Sequence, residues 1–245
     1  MKSFLVALQF LTIVPVRHPF GDVVRRRAVF WFPVVGLLIG GLLVLTDAAL
    51  SALECPPAIS AVLLVSLLAA FSGGLHLDGV ADTADGLLGS RSRARALEIM
   101  RDSRVGSMGV LAVVLVLGLK VGGVVELTGM WRARALLLAP FTGRCLQLFS
   151  LAALRYVRAE GGLASGFIPA RRWRCGLEGV MVLVVVSWGL GGWAGLGLVG
   201  GAMALACGFS CYCRHRLGGF TGDTLGSVSE LGEMWVLLGT AWLLA

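Results

Sequence analysis

Apolar runs of about 20 residues, the length a helix needs to cross the hydrocarbon core of a bilayer, recur along the whole of this 245-residue chain. They lie near Ala28–Leu50, Pro56–Leu75, Ser107–Leu127 and Ala133–Leu154, then twice between Gly176 and Cys213, and once more from Leu231 onward. Lipid offers the backbone no hydrogen-bond partners, so runs of this kind must be helices. Hydrophobic residues make up 57% of the chain and charged ones only 14%, with a mean hydropathy of +0.87, which is the balance of a chain whose solvent is largely lipid. The expected fold is all-α: a polytopic integral membrane helical bundle of about six to eight membrane helices, forming a single domain over residues 1–245. The chain has no fixed-period repeat and no low-complexity linker. Gly36/Gly40, Gly118/Gly122, Gly191/Gly195 and Gly197/Gly201 have the four-residue spacing that lets membrane helices pack backbone to backbone.

Ser3–Val16 is too short to cross and ends at Pro15, so it reads as an interfacial or re-entrant helix. Lys2 and the apolar run imitate a signal peptide, but Arg17 interrupts and no small-residue cleavage site follows. Orientation follows from the arginines, because short basic loops stay on the cytoplasmic side. Arg25–Arg27, the run from Arg91 to Arg104, the group from Arg155 to Arg174, and Arg214 with Arg216 all fall on one face, while the opposite loops hold only Arg132 and Arg134. The net charge of +7 is thus spread over short loops, a pattern that fits topology and anionic headgroups and excludes a nucleic-acid partner. The six cysteines, at 55, 145, 175, 207, 211 and 213, lie in or beside apolar stretches without zinc-ligand spacing and read as reduced and structural.

Against this background the segment Gly73–Gly86, GGLHLDGVADTADG, is anomalous. Asp78, Asp82 and Asp85 are four and three residues apart and project from one face of a helix. Like charges so placed repel unless a cation neutralises them, and hard carboxylate oxygens suit Mg²⁺, with Mn²⁺ as the alternative. A second acidic set follows the Arg214 loop: Asp223 within Gly218–Gly226 and then Glu230, seven residues apart like Asp78 and Asp85, and Glu233. Both sets fall at the same boundary of the membrane, where together they would form a bipartite metal site able to grip a diphosphate. Between them, Ser90–Arg104 places Leu97 and Met100 at helical spacing among charges, which predicts a short amphipathic surface helix. Its Asp102 is a further candidate metal ligand, and Arg101 and Arg104 are candidates to hold phosphate oxygens. His76, two residues before Asp78, is a candidate base for a hydroxyl nucleophile, and Asp82 is expected to matter both to the metal and to catalysis. Lys120 and Arg144 fall inside apolar runs, where a charge must be paired, reach water or snorkel to the interface.

The string Gly74–Gly86 resembles the hallmark segment of the cobalamin synthase family, the adenosylcobinamide-GDP ribazoletransferases of cobamide assembly. Leu97–Gly106 resembles that family's next motif and Gly218–Gly226 with Glu230 its C-terminal one. Weaker echoes lie at Phe10–Thr12 with Pro15, Trp31–Pro33 with Gly36, and Tyr156–Gly162, so the likeness covers nearly the whole chain in order. Val80, Ser107 and Met108 depart from the family pattern beside the acids rather than at them. The resemblance implies that the 5′-hydroxyl of α-ribazole, or of α-ribazole 5′-phosphate, attacks the cobinamide-linked phosphorus of adenosylcobinamide-GDP and expels GMP, with Mg²⁺ as cofactor. It implies a multi-pass protein of a bacterial or archaeal cell membrane, in contact with membrane lipids and with its active site facing the cytoplasm. A homo-oligomer, or docking of other corrinoid-assembly enzymes, is compatible with it.

Two other classes share part of this pattern. A membrane CDP-alcohol phosphotransferase needs Asp-Gly followed by Ala-Arg and two further aspartates at four-residue spacing, whereas here Gly86 leads into Leu87, Leu88 and Gly89. A divalent-cation transporter would carry its second acidic set midway through a span, whereas here that set opens in a glycine-rich loop.

Overall fold

In a computed structural model, which describes residues 1–16, 21–158 and 160–244, the chain forms ten α-helices. They are α1 (Lys2–Leu11), α2 (Asp22–Ala28), α3 (Phe32–Ala52), α4 (Pro57–Phe71), α5 (Leu75–Gly89), α6 (Arg93–Ile99), α7 (Ser107–Glu126), α8 (Gly129–Ala153), α9 (Arg172–Leu217) and α10 (Gly222–Leu244). Arg17 lies outside the described residues. α8 is the central post, with α3, α9 and α10 packed around it. Leucines and valines such as Leu42, Val114 and Val185 remain exposed on the outer helices, as a lipid-facing surface requires.

Glycines set the two sharpest changes of direction. Gly73 and Gly74 sit in succession at φ 59° and 76°, a left-handed stretch that side-chain-bearing residues resist. The apolar run predicted as a single span from Pro56 to Leu75 therefore breaks there, and α5 leaves α4 at 87°. The second change lies within α9, where Gly192 adopts φ 55°, ψ −135°. Residues eight apart in a straight helix are about 12 Å apart, yet the Ser187 backbone presses against Gly195, and the rings of Trp188 and Trp193 meet edge to face with centroids 4.8 Å apart. The chain doubles back at Gly192, so α9 is two arms rather than one rod.

By length and composition four helical runs can cross a membrane, or five if the bent α4–α5 pair counts as one span. That is fewer than the expected six to eight. α9 contributes a single run although it contains two arms, and the acids and small residues of α10 lower its hydropathy. α10 also starts at Gly222, well before the expected Leu231.

The expected close helix pairs are met unevenly. A Cβ on Gly36 or Gly40 would collide with the α8 backbone at Phe141 and Leu137, so these glycines let α3 lie directly on α8. Gly118 and Gly122 face open space and hold no partner helix.

The basic segments gather at one end. Arg216 donates to Ser90 O, Arg158 to Met100 O at 3.0 Å, and Arg101 pairs with Glu160 at 2.5 Å. The Gly166 turn lies against Arg25. At the other end Arg132 joins Asp47 at 2.9 Å, Ser60 at 2.9 Å and Val124 O at 2.7 Å, tying α3, α4, α7 and α8 together.

Candidate active site

The site is built where α5 crosses α10 at the basic end. The crossing is tight because both helices present glycine: a Cβ on Gly79 would come within 2.7 Å of Asp223 O, and one on Gly226 within 3.1 Å of His76 Cα. Ser227 Oγ closes the contact by bonding to Gly79 O and to Thr83 Oγ1, each at 2.9 Å. Thr221 caps α10, its hydroxyl accepting from Thr224 N at 3.3 Å while Thr221 N donates to Thr224 Oγ1 at 3.0 Å. Asp223 then sits in the first turn of α10, where the helix dipole favours a carboxylate.

A third segment completes the site. Residues 155–157 pair with Phe220 through Phe220 N to Arg155 O at 2.8 Å and Val157 N to Phe220 O at 3.1 Å. Gly219 is required there, since a Cβ would strike Arg155 O. This pairing delivers Arg158 to Asp223 Oδ2 at 2.5 Å. A cavity of about 120 Å³ opens at this point, with His76, Asp78, Tyr156, Arg158 and Asp223 among its walls. Asp82, one turn beyond Asp78, is near enough to feel the charges of Asp78, Asp85 and Asp223.

Asp78 and Asp223 are therefore brought together in one cavity wall, with Asp82 one helical turn from Asp78. The other expected ligands are not. Asp85 accepts hydrogen bonds from Gly106 N at 2.7 Å and Gly109 N at 2.8 Å, capping the start of α7 from across the bundle. It lies seven residues and about 10 Å along the axis from Asp78, so being in phase does not let the two share one cation. Asp102 is engaged by Arg104, whose Nη2 donates at 2.6 Å, and those hydrogen bonds hold its carboxyl well below the usual range, at about 2. Arg104 and Arg101 are both spent in exposed ion pairs, with Asp102 and Glu160 respectively.

Glu230 lies two turns down α10 from Asp223 and pairs with Lys120 at 2.5 Å, fully buried. Glu233 also takes Lys120 at 2.5 Å, and it takes Arg144, which donates in addition to Ser229 at 2.8 Å. Lys120 and Arg144 thus neither snorkel nor reach water; two cations and two anions close on one another in the bundle interior.

His76 is buried as well. Gln147 Nε2 donates to Leu225 O at 3.3 Å and lies 3.1 Å from His76 Nε2. The Leu225 carbonyl fixes the amide orientation, so the imidazole Nε2 is an acceptor already in use. This arrangement speaks against Nε2 as the proton acceptor.

Arg158 and Gln147 are the polar residues that sequence reading passed over. Arg158 lies inside the weak echo Tyr156–Gly162, which was the available signal; nothing in the spacing marked Gln147.

Among the described residues no group of three or more His, Cys, Asp or Glu side chains is placed to hold a metal ion as it stands. The donor chemistry nevertheless fits a hard divalent cation. Asp78 and Asp82 have no ion-pair partner among the described residues, and Asp78 shares the cavity wall with Asp223.

A family model described as CobS, cobalamin-5-phosphate synthase, matches residues 3–241. The chain belongs to this synthase family. Relatives named adenosylcobinamide-GDP ribazoletransferase include that of Pseudomonas paraeruginosa, 43% identical with 98% of each chain covered. The one from Pseudomonas fluorescens is 41% identical, covering 98% of this chain and 99% of its own. The more distant protein from Desulforamulus reducens is 36% identical, covering 96% of this chain and 94% of its own. No solved structure matches the chain. Of the three segments singled out in the sequence, Gly74–Gly86 and Gly218–Gly226 wall the small cavity, while Leu97–Gly106 is tied to Arg158 through Met100 O.

Proposed function

We propose that this member of the cobalamin-5-phosphate synthase family joins α-ribazole, or α-ribazole 5′-phosphate, to adenosylcobinamide-GDP and releases GMP. The observation that carries this reading is that Asp78 and Asp223, 145 positions apart in the sequence, wall the same small cavity beside Arg158. A space of about 120 Å³ suits a diphosphate and its counter-ion, not a nucleoside. The nucleophilic hydroxyl forms a new P–O bond at the cobinamide-linked phosphorus while the phosphoanhydride breaks, and GMP leaves with the electron pair.

Asp78, Asp82 and Asp223 are the residues that would hold Mg²⁺. When bound, the ion would offset the diphosphate charge and ease departure of GMP. Arg158 aligns Asp223 and presents its guanidinium to phosphate oxygens. His76 holds the α5 side of the wall through Gln147 rather than moving a proton at Nε2. Convergence of the basic loops on this end supports a cytoplasmic site in the cell membrane.

The test is turnover. Protein purified into liposomes with adenosylcobinamide-GDP, α-ribazole and Mg²⁺ is expected to yield cobamide and one GMP per turnover. Chelation should stop the reaction and Mg²⁺ should restore it. Absence of GMP release, or Mg²⁺ flux across the vesicle without turnover, overturns the reading.

A further inference from the structure

Two larger cavities, each of about 770 Å³, flank the small one, and they differ in chemistry. On one side, between α5 and α7, the walls are chiefly apolar, with Val105, Val110, Val113 and Val114, and the charged group is Asp78. On the other, between α1, α2 and the 162–167 turn, the walls carry Gln9, Asp22, Arg25 and Arg26, with Phe10 and Phe167. The second cavity is continuous with the small one, because Phe10, Leu75 and Leu163 line both.

From this we infer that the α1–α2 cavity binds the guanylate half of the activated substrate, with Arg25 and Arg26 on its phosphate and Asp22 with Gln9 on the guanine edge. The inference rests on the ribazoletransferase reading and deepens it. The volume is that of a nucleotide-sized pocket, whereas the 120 Å³ space is not. Guanine offers N1–H and N2–H donors to a carboxylate and an O6 acceptor to an amide. A glycosylated benzimidazole has no N–H donor on its base, so its ring edge cannot pair with Asp22 as guanine's can. Two guanidiniums match a phosphate, and among the described residues the valine-lined cavity supplies no cation for one. Phe10 and Phe167 stack on each other with centroids 4.0 Å apart, giving the pocket a rigid aromatic wall.

The same arginines stand at a membrane boundary, where a lipid headgroup offers the same phosphate chemistry. The test is therefore equilibrium binding of GMP, with Mg²⁺, to protein in nanodiscs of zwitterionic phosphatidylcholine, which carries no net charge. Arg25→Ala/Arg26→Ala is expected to weaken GMP binding at least tenfold, with Arg25→Lys/Arg26→Lys recovering part of the loss. Wild type should prefer GMP over IMP, and Asp22→Asn should erase that preference. Unchanged GMP affinity in the alanine double variant overturns the assignment. So does a raised KM for α-ribazole 5′-phosphate with GMP affinity intact, or an effect seen only when anionic lipid is present. Wild-type turnover in the same preparation tests the underlying reading separately, since GMP binding is measured without catalysis.

Discussion

At the scale of single residues, spacing and employment part company. Asp78, Asp82 and Asp85 share a helix face, yet only the first two remain beside Asp223 without a bonded partner, while Asp85 is held by two backbone amides of α7. Helical phase was legible in the sequence. The rise of about 1.5 Å per residue, which carries Asp85 and Glu230 two turns away from their expected partners, decides the outcome. The glycines at 106 and 109 give the reason for the third aspartate, because a Cβ at either would collide with the Asp85 carboxylate. The two roles predict opposite phenotypes. Asp82→Asn should lose turnover by at least a hundredfold while the thermal unfolding midpoint in detergent stays within a degree or two. Asp85→Ala should lower that midpoint, reflecting about 1 kcal/mol for a lost helix cap, and retain measurable turnover. Equal loss of stability in both variants would return Asp82 to a structural role.

At the scale of elements, the site depends on how closely α5 and α10 approach. Gly79 and Gly226 form the contact, and Ser227 Oγ bonds across it to Gly79 O and Thr83. Added methyl groups at such a crossing force backbone shifts that cost about 1–3 kcal/mol. Gly79→Ala is therefore expected to lower the unfolding midpoint and cut kcat at least tenfold, because α5 carries Asp78 and Asp82 while α10 carries Asp223. Gly118→Ala, facing open space, is the control and should change neither. Small-residue spacing alone ranked Gly118/Gly122 with Gly36/Gly40. What separates them is which helix lies opposite, and that is a property of the assembled bundle. The break at Gly73–Gly74 is similar: hydropathy read one span through it, since composition is blind to two consecutive left-handed residues.

For the whole molecule, the buried quartet of Lys120, Arg144, Glu230 and Glu233 joins α7, α8 and α10, the last of which also carries Asp223 in the cavity wall. Its two positive and two negative charges cancel, which is the condition for keeping ions in a low-dielectric interior. Sequence flagged the two cations as needing partners and assigned one of the anions to metal. The buried location of Glu230 follows from α10 beginning at Gly222, which pushes both glutamates deeper than a helix starting at Leu231 would. Charge balance makes the quartet's energetics testable by a cycle rather than by single changes. Lys120→Met leaves two glutamates facing one arginine and should cost about 3–5 kcal/mol, the penalty for an uncompensated buried charge. Glu230→Gln leaves two cations facing one glutamate and should cost a similar amount. The pair Lys120→Met/Glu230→Gln restores neutrality, with Arg144 still held by Glu233, and should be clearly more stable than either single variant. Additive losses in that cycle would mean the four groups are not electrostatically coupled, and the tie from α7 through α10 to the wall of the site would then rest on side-chain packing alone.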